Sequence, residues 1–245
     1  MHDFLAAVGF LTRIPMGVAF QADAERLGRS SPYFPLVGGV IGVVLAMMDR
    51  LASRFFVLAA ASALDLTMIF VLTGGMHLDG LIDTADGLLS GRGKERILEI
   101  MRDSRVGAMG VIAGILLVIL KFSLLTAIPP QVRPYALFFM PVLGRWVMLS
   151  AIVFFPYARQ GPGLGRIFAK KVSIPVFLIT TVLTVTVCTV LGGARGCAAF
   201  FGSAVASLWL ARSVSRFLGG LTGDVYGALA EVGEAVALAF FAARI

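Results

Sequence analysis

The sequence predicts an all-α protein: a polytopic integral membrane helix bundle of about seven transmembrane helices, with its amino terminus on the cytoplasmic side. Three observations predict it. The 245 residues are 58% hydrophobic and only 14% charged, against about 25% charged in an average soluble domain. Mean hydropathy is +0.92. Apolar runs near the ~20 residues needed to cross a bilayer as a helix recur along the whole chain.

The elements follow in order. Over residues 1–20, Phe4, Leu5, Val8, Leu11 and Ile14 fall near helical spacing before Pro15 and Gly17 break the run. That pattern predicts an interfacial helix rather than a span. No small-residue cleavage pattern follows, so a secretory leader is not expected. Spans are expected over 33–49, 55–76, 106–128, 135–157, 173–192, 197–217 and 225–244. The first is short, because Pro32 and Pro35 interrupt its start. Cys188 and Cys197 lie in apolar surroundings without metal-ligand spacing, and both read as small hydrophobes. No repeat or second domain is visible, so residues 1–245 are expected to form one membrane-embedded catalytic domain.

Loop charge orients the bundle. The net charge is +7, and much of it lies in two loops. Residues 87–105 carry Arg92, Lys94, Arg96, Arg102 and Arg105, and residues 158–172 carry Arg159, Arg166, Lys170 and Lys171. Both are expected on the cytoplasmic side, and the span count puts them on the same side. Arg13, Arg26 and Arg29 then place the amino terminus inside as well.

Carboxylates near lipid are costly, at least ~2.5–3.5 kcal/mol each at the bilayer centre, so their positions are informative. The second span ends in His77-Leu78-Asp79-Gly80-Leu81-Ile82-Asp83-Thr84-Ala85-Asp86-Gly87. At about 100° per residue, Asp83 lies about 40° and Asp86 about −20° from Asp79, so the three share one helix face. Such a set repels itself unless a cation neutralises it. Oxygen-only ligands favour a hard cation such as Mg²⁺ or Mn²⁺. The bland alternative is a solvated helix end. His77 falls on the opposite side of an unbroken helix. It either joins the acids through a backbone distorted at Gly74, Gly75 and Gly80, or plays a structural part.

A second acidic set follows the run Gly219-Gly220-Leu221-Thr222-Gly223: Asp224, then Glu231 and Glu234. In the expected topology both sets sit on one membrane face, so six of the chain's fourteen acids are expected to converge. The glycines admit a close phosphate approach or simply form a tight turn. Arg102 and Arg105 in the intervening loop are candidates for holding phosphate oxygens. Arg145, eleven residues into its span, either faces the bundle interior to pair with an acid or phosphate, or snorkels. Arg212 and Arg216 are further candidates for the entrance. Clustered carboxylates, a hard cation and flanking Arg and Lys suit attack on phosphorus.

These residues also carry a resemblance. Phe10-Leu11-Thr12-Arg13-Ile14-Pro15, Phe34-Pro35-Leu36-Val37-Gly38, the His77–Gly87 block, the Met101–Gly110 block and Leu221-Thr222-Gly223-Asp224 through Glu231 and Glu234 appear in order over nearly the whole chain. In them the chain resembles the cobalamin 5′-phosphate synthase family, the adenosylcobinamide-GDP ribazoletransferases. Tyr226 stands where an aliphatic residue is expected. The resemblance implies a Mg²⁺-dependent enzyme of the bacterial inner membrane with its active site facing the cytoplasm. It would join α-ribazole, or α-ribazole 5′-phosphate, to adenosylcobinamide-GDP and release GMP. On that reading Asp79, Asp83, Asp86 and Asp224 bind metal. Asp83, Asp86, Glu231 and Glu234 are the catalytic candidates, and Arg102, Arg105, Arg145 and His77 meet substrate. The lipid bilayer is a partner, nucleic acid is not, and homo-oligomerisation stays open.

Two rival readings have sequence marks of their own. A CDP-alcohol-type lipid phosphotransferase would show a tandem Asp-x₂-Asp-Gly pattern followed by Ala-Arg, which is absent. A cation transporter would place carboxylates near the midplane, where only Asp65 is expected.

Overall fold

The computed structural model describes residues 2–15, 23–159, 164–168 and 172–243. Lys170 and Lys171, and residues 16–22 of the expected interfacial segment, lie outside the described residues. Among the described residues every regular element is helical, and one isolated parallel bridge joins Tyr157 to Leu221. The helices are α1 (His2–Leu11), α2 (Ala24–Ser30), α3 (Phe34–Ala52), α4 (Leu58–Thr73), α5 (Met76–Leu88), α6 (Lys94–Ile100), α7 (Ala108–Ala127), α8 (Arg133–Phe154), α9 (Leu164–Phe168), α10 (Ile174–Leu218) and α11 (Gly223–Ala242). The α-helical membrane bundle is therefore as the sequence predicts.

Among the described residues five helices are long and apolar enough to cross a membrane, or six if α4 and α5 form one broken span. The predicted 173–192 and 197–217 appear as the single element α10, interrupted by non-helical Gly193 at φ 55°, ψ −142°. There α10 doubles back. Thr189 Oγ1 lies 3.2 Å from Cys197 Sγ, whereas residues eight apart in a straight helix are ~12 Å apart along the axis. An added Cβ on Gly196 would collide with the Cys188 carbonyl. The two arms of α10 thus occupy the places of two predicted spans. Cys188 and Cys197 are free thiols.

The predicted span 55–76 is not straight. Gly74 and Gly75 both adopt the left-handed conformation, φ 67° and 71°, and α4 meets α5 at 91°. Two consecutive positive-φ residues end a helix and redirect the chain, which glycine permits without a Cβ penalty.

The core is built on α8, buried on all sides from Phe139 to Ile152, as a helix apolar all round must be. Gly42 of α3 lets that helix approach closely: an added Cβ would sit 2.7 Å from the Phe138 Cα. α11 packs beside α8, with Gly233 against Val147. The outer helices present Leu116, Ile119, Leu120, Val182, Leu183, Val190, Phe201 and Val205 outward, a surface suited to lipid. α1 buries Ala6, Ala7, Val8 and Leu11 against α2 and α3, so it is docked on the bundle rather than lying apart from it.

Candidate functional site

The first helix crossing that matters is α5 on α11. Gly80 rests on Asp224, where an added Cβ would lie 2.7 Å from the Asp224 carbonyl oxygen. Gly227 in turn rests on His77, whose carbonyl oxygen would be 3.1 Å from an added Cβ. Small residues at both contacts bring the backbones together, so acids remote in sequence become neighbours. Asp79 and Asp224 line one cavity of about 530 Å³. Asp83 lies within electrostatic reach of Asp79, Asp224 and Asp86.

Aromatic and basic residues complete this cavity: Phe10, Phe34, Tyr157, Phe168 and Tyr226, with Arg102 and Arg159. Phe10, Phe34 and Phe168 stack or tilt on one another at centroid distances of 4.9–5.9 Å. Arg159 is delivered by the chain leaving α8. Leu221 N–H donates to the Pro156 carbonyl and Ala158 N–H to the Leu221 carbonyl, each at 2.8 Å. Gly219 and Gly220, at φ 75° and 155°, make the turn that allows this pairing. The strap sets the Arg159 guanidinium 2.6 Å from the Asp224 carboxylate. It also donates to the Met101 carbonyl at 3.3 Å. A smaller cleft of about 350 Å³ lies alongside, where Lys94 joins Arg102 and Arg159. Lys94 and Arg102 of one basic loop and Arg159 of the other therefore meet at one cleft.

Asp86 points elsewhere. Its carboxylate accepts the backbone N–H groups of Gly107 and Gly110, both at 2.7 Å. It caps the amino end of α7, where unsatisfied donors and the helix dipole favour an anion. His77 is buried on the cavity wall with Asp79, and among the described residues its Nε2 has no hydrogen-bond partner.

Several expectations need correction. Glu231 and Glu234 do not reach the cavity. Lys121 donates to both at 2.5 Å, Arg145 pairs with Glu234, and all four side chains are buried. The structure thus gathers four acids around the α5–α11 crossing and its α7 edge, and locks the other two in an interior ion-pair cluster. The physical reason is that charge deep in lipid or protein must be paired, and α7 and α8 supply the cations. Arg145 accordingly faces the interior on an acid, and does not snorkel. Arg105 is 87% exposed on a surface pair with Asp103 at 2.6 Å and does not line the cavity. Its hydrogen bonds pull the Asp103 carboxyl down to about 2. Arg212 and Arg216 are exposed and do not line the cavity. Asp65 is taken by Arg133, which also binds Asp49 and Ser62 at 2.7–3.0 Å.

The sequence reading missed two residues. Lys121 was visible as a lone cation within an apolar run, a signal that ordinarily marks an interior partner. Arg159 stood out only as one of several loop cations.

Among the described residues no three His, Cys, Asp or Glu side chains are grouped to hold a metal unaided. The donor chemistry nonetheless suits Mg²⁺. That ion is usually bound by one or two carboxylates together with substrate phosphates and water, and Asp79 and Asp224 share a cavity that also carries Arg102 and Arg159.

A sequence model of the cobalamin-5-phosphate synthase family matches residues 3–242. Among similar proteins is an adenosylcobinamide-GDP ribazoletransferase of Desulfitobacterium hafniense (strain Y51), 41% identical over 96% of this chain and 94% of the relative. Another, of Brevibacillus brevis, is 38% identical over 97% of this chain and 96% of the relative. A third, of Pseudomonas fluorescens, is 38% identical over 97% and 98%. No solved structure matches the chain.

Proposed function

The chain belongs to the cobalamin-5-phosphate synthase family, and from that membership we propose how its site works. It is an adenosylcobinamide-GDP ribazoletransferase of cobalamin nucleotide-loop assembly. The ribose hydroxyl of α-ribazole or its 5′-phosphate attacks the corrinoid-linked phosphorus of adenosylcobinamide-GDP, and GMP leaves. The observation that carries this reading is the meeting of Asp79 and Asp224, from two remote helices, at a cavity rimmed by Arg102 and Arg159, with Asp83 within electrostatic reach of both acids.

Asp79 and Asp224, with Asp83 beside them, would hold Mg²⁺, which when bound neutralises developing charge on phosphoryl oxygens. Arg102 and Arg159 bind and orient the diphosphate by charge-assisted hydrogen bonds. Asp83, one helical turn from Asp79 and in no direct ion pair among the described residues, would orient or deprotonate the attacking hydroxyl. The aromatic wall of Phe10, Phe34 and Phe168 excludes water and offers a stacking face to a base or ring. We further place seven spans across the bacterial inner membrane with the amino terminus and the cavity on the cytoplasmic side. Supporting this are the two basic loops at the cavity end and the cytosolic origin of the polar substrates.

The test uses purified protein with adenosylcobinamide-GDP, α-ribazole 5′-phosphate and Mg²⁺, following GMP and corrinoid product. Wild type is expected to release GMP in a chelator-sensitive manner, and Asp83→Asn to abolish release while still inserting and folding. Near-normal turnover in that variant would remove Asp83 from catalysis. The transporter alternative gains no support from the interior charges, which are paired with one another.

A further inference from the structure

A second cavity, of about 660 Å³, adjoins the first. The two share Phe10, Met76 and Asp79 as lining residues, so Phe10 and Met76 form a partition and Asp79 faces both sides. The second chamber is otherwise lined by Thr12, Arg13, Gly74, Gly75 and Ile82, among others. Arg13 is its cation and Asp79 its acid.

Arg13 is exposed on the chamber wall, and its backbone is tied there. Its backbone N–H donates to the Leu72 carbonyl at 2.6 Å. Its guanidinium lies against Gly74, where an added Cβ would come within 2.9 Å of Cζ. Gly74 is left-handed at φ 67°, so that position is closed to side chains on two counts. Among the described residues no carboxylate forms an ion pair with Arg13, as none does with Arg102 of the first cavity, whereas Arg159 pairs with Asp224. An arginine lining a concave site without an acid partner among the described residues is a ready ligand for a phosphate, which a guanidinium binds bidentately.

Displacement at phosphorus requires the attacking and leaving oxygens roughly in line, and hence separate space on the two sides of the reacting atom. Two chambers meeting at Asp79 provide it. We propose that the Arg13 chamber is the acceptor subsite, and that Arg13 grips the phosphomonoester of a ribonucleotide-like alcohol. This rests on the transferase reading above. The diphosphate substrate occupies the Arg102–Arg159 side. The acceptor's 3′-oxygen forms a bond to the corrinoid-linked phosphorus, and the bond from that phosphorus to the bridging oxygen breaks. That oxygen departs with the electron pair as part of GMP, and the hydroxyl proton passes to solvent.

The experiment compares α-ribazole 5′-phosphate with α-ribazole as acceptor at saturating adenosylcobinamide-GDP, in wild type and in Arg13→Ala. The ratio of kcat/KM for the phosphorylated acceptor to that for the unphosphorylated one is expected to fall about tenfold or more in the variant. Arg13→Lys, which keeps the charge but loses the fork, is expected to fall between the two. An unchanged ratio, with both acceptors losing rate equally, overturns the proposal. So does a rise in KM for adenosylcobinamide-GDP alone, which would put Arg13 on the other substrate. If Arg13→Ala fails to insert, Arg13→Gln against Arg13→Lys carries the same comparison. Absence of GMP release by wild type with either acceptor would instead sink the transferase reading itself.

Discussion

Helix α11 carries acids at two levels, and the two live in opposite electrostatic settings. Asp224, in its first turn, is 23% exposed on a cavity and shares its neighbourhood with Asp79 and Asp83, opposed by Arg159 alone among direct ion-pair partners. Two to three turns further, Glu231 and Glu234 are buried and matched by Lys121 and Arg145. The interior site balances two acids with two cations and closes on itself. The cavity sets Asp79 and Asp224 against Arg102 and Arg159 around an open wall, and of these acids only Asp224 is in a direct ion pair among the described residues. The same residue type on one helix thus becomes a structural lock or a ligand site according to what neighbouring helices bring to it. A low-dielectric interior enforces direct pairing, whereas a partly solvated cavity tolerates an acid without a direct partner, free to meet a ligand.

The largest expected effect breaks the balanced site. Lys121→Met leaves two buried carboxylates with only Arg145 between them. Removing one partner of a buried pair costs about 3–5 kcal/mol, which would appear as a large fall in melting temperature in detergent. Adding Glu231→Gln should recover most of that loss, because it removes the stranded charge. Asp79→Asn, by contrast, relieves repulsion at the cavity and is expected not to lower the melting temperature, even though turnover is lost. If Lys121→Met melts like wild type, the interior cluster is not the lock described here.

A smaller effect, on activity alone, belongs to the rim. Arg159→Ala removes the cation beside Asp224 and one of the two arginines on the diphosphate side. A loss of about 10–100-fold in kcat/KM is expected, with the melting temperature near wild type because the pair is partly solvated. Arg159→Lys should restore only part of it, since an ammonium does not reproduce the planar fork. Equal losses in stability and turnover would show that Arg159 is a brace for the strap instead.

Much of this contrast was legible in local sequence, and its limits are physical. Apolar run length found the membrane helices, and the acids at span ends found Asp79, Asp83 and Asp224. The break at Gly74-Gly75 was foreseeable as a distortion, but its 91° angle depends on two consecutive left-handed residues. The reversal at Gly193 fell within the predicted turn between two spans. Seven residues apart, Glu231 and Asp224 differ by about 20° around a helix and so share one face of α11. That angle carries no information about Lys121 on α7 or Arg145 on α8, which claim that face deeper in the bundle. The role of Arg159 depends on the Tyr157–Leu221 bridge between distant segments, and no periodicity within either segment encodes that pairing.

The smallest expected effect tests whether loop position alone makes an arginine functional. Arg102 and Arg105 are three residues apart in the same basic loop, yet Arg102 lines both the main cavity and the adjoining cleft, while Arg105 stands 87% exposed on Asp103. That contact lowers the Asp103 carboxyl from 3.8 to about 2. The ion pair is therefore fully present above about pH 4 and is lost only as pH falls toward about 2. Across pH 6–9 it does not titrate. Arg105→Ala is accordingly expected to match wild type in melting temperature, in kcat/KM and in the shape of its pH–rate profile. Arg102→Ala should raise KM for adenosylcobinamide-GDP. A substantial activity loss in Arg105→Ala would mean that the loop folds over the cavity during turnover and brings a second guanidinium to the phosphates, so that the boundary between rim and surface shifts when substrate binds.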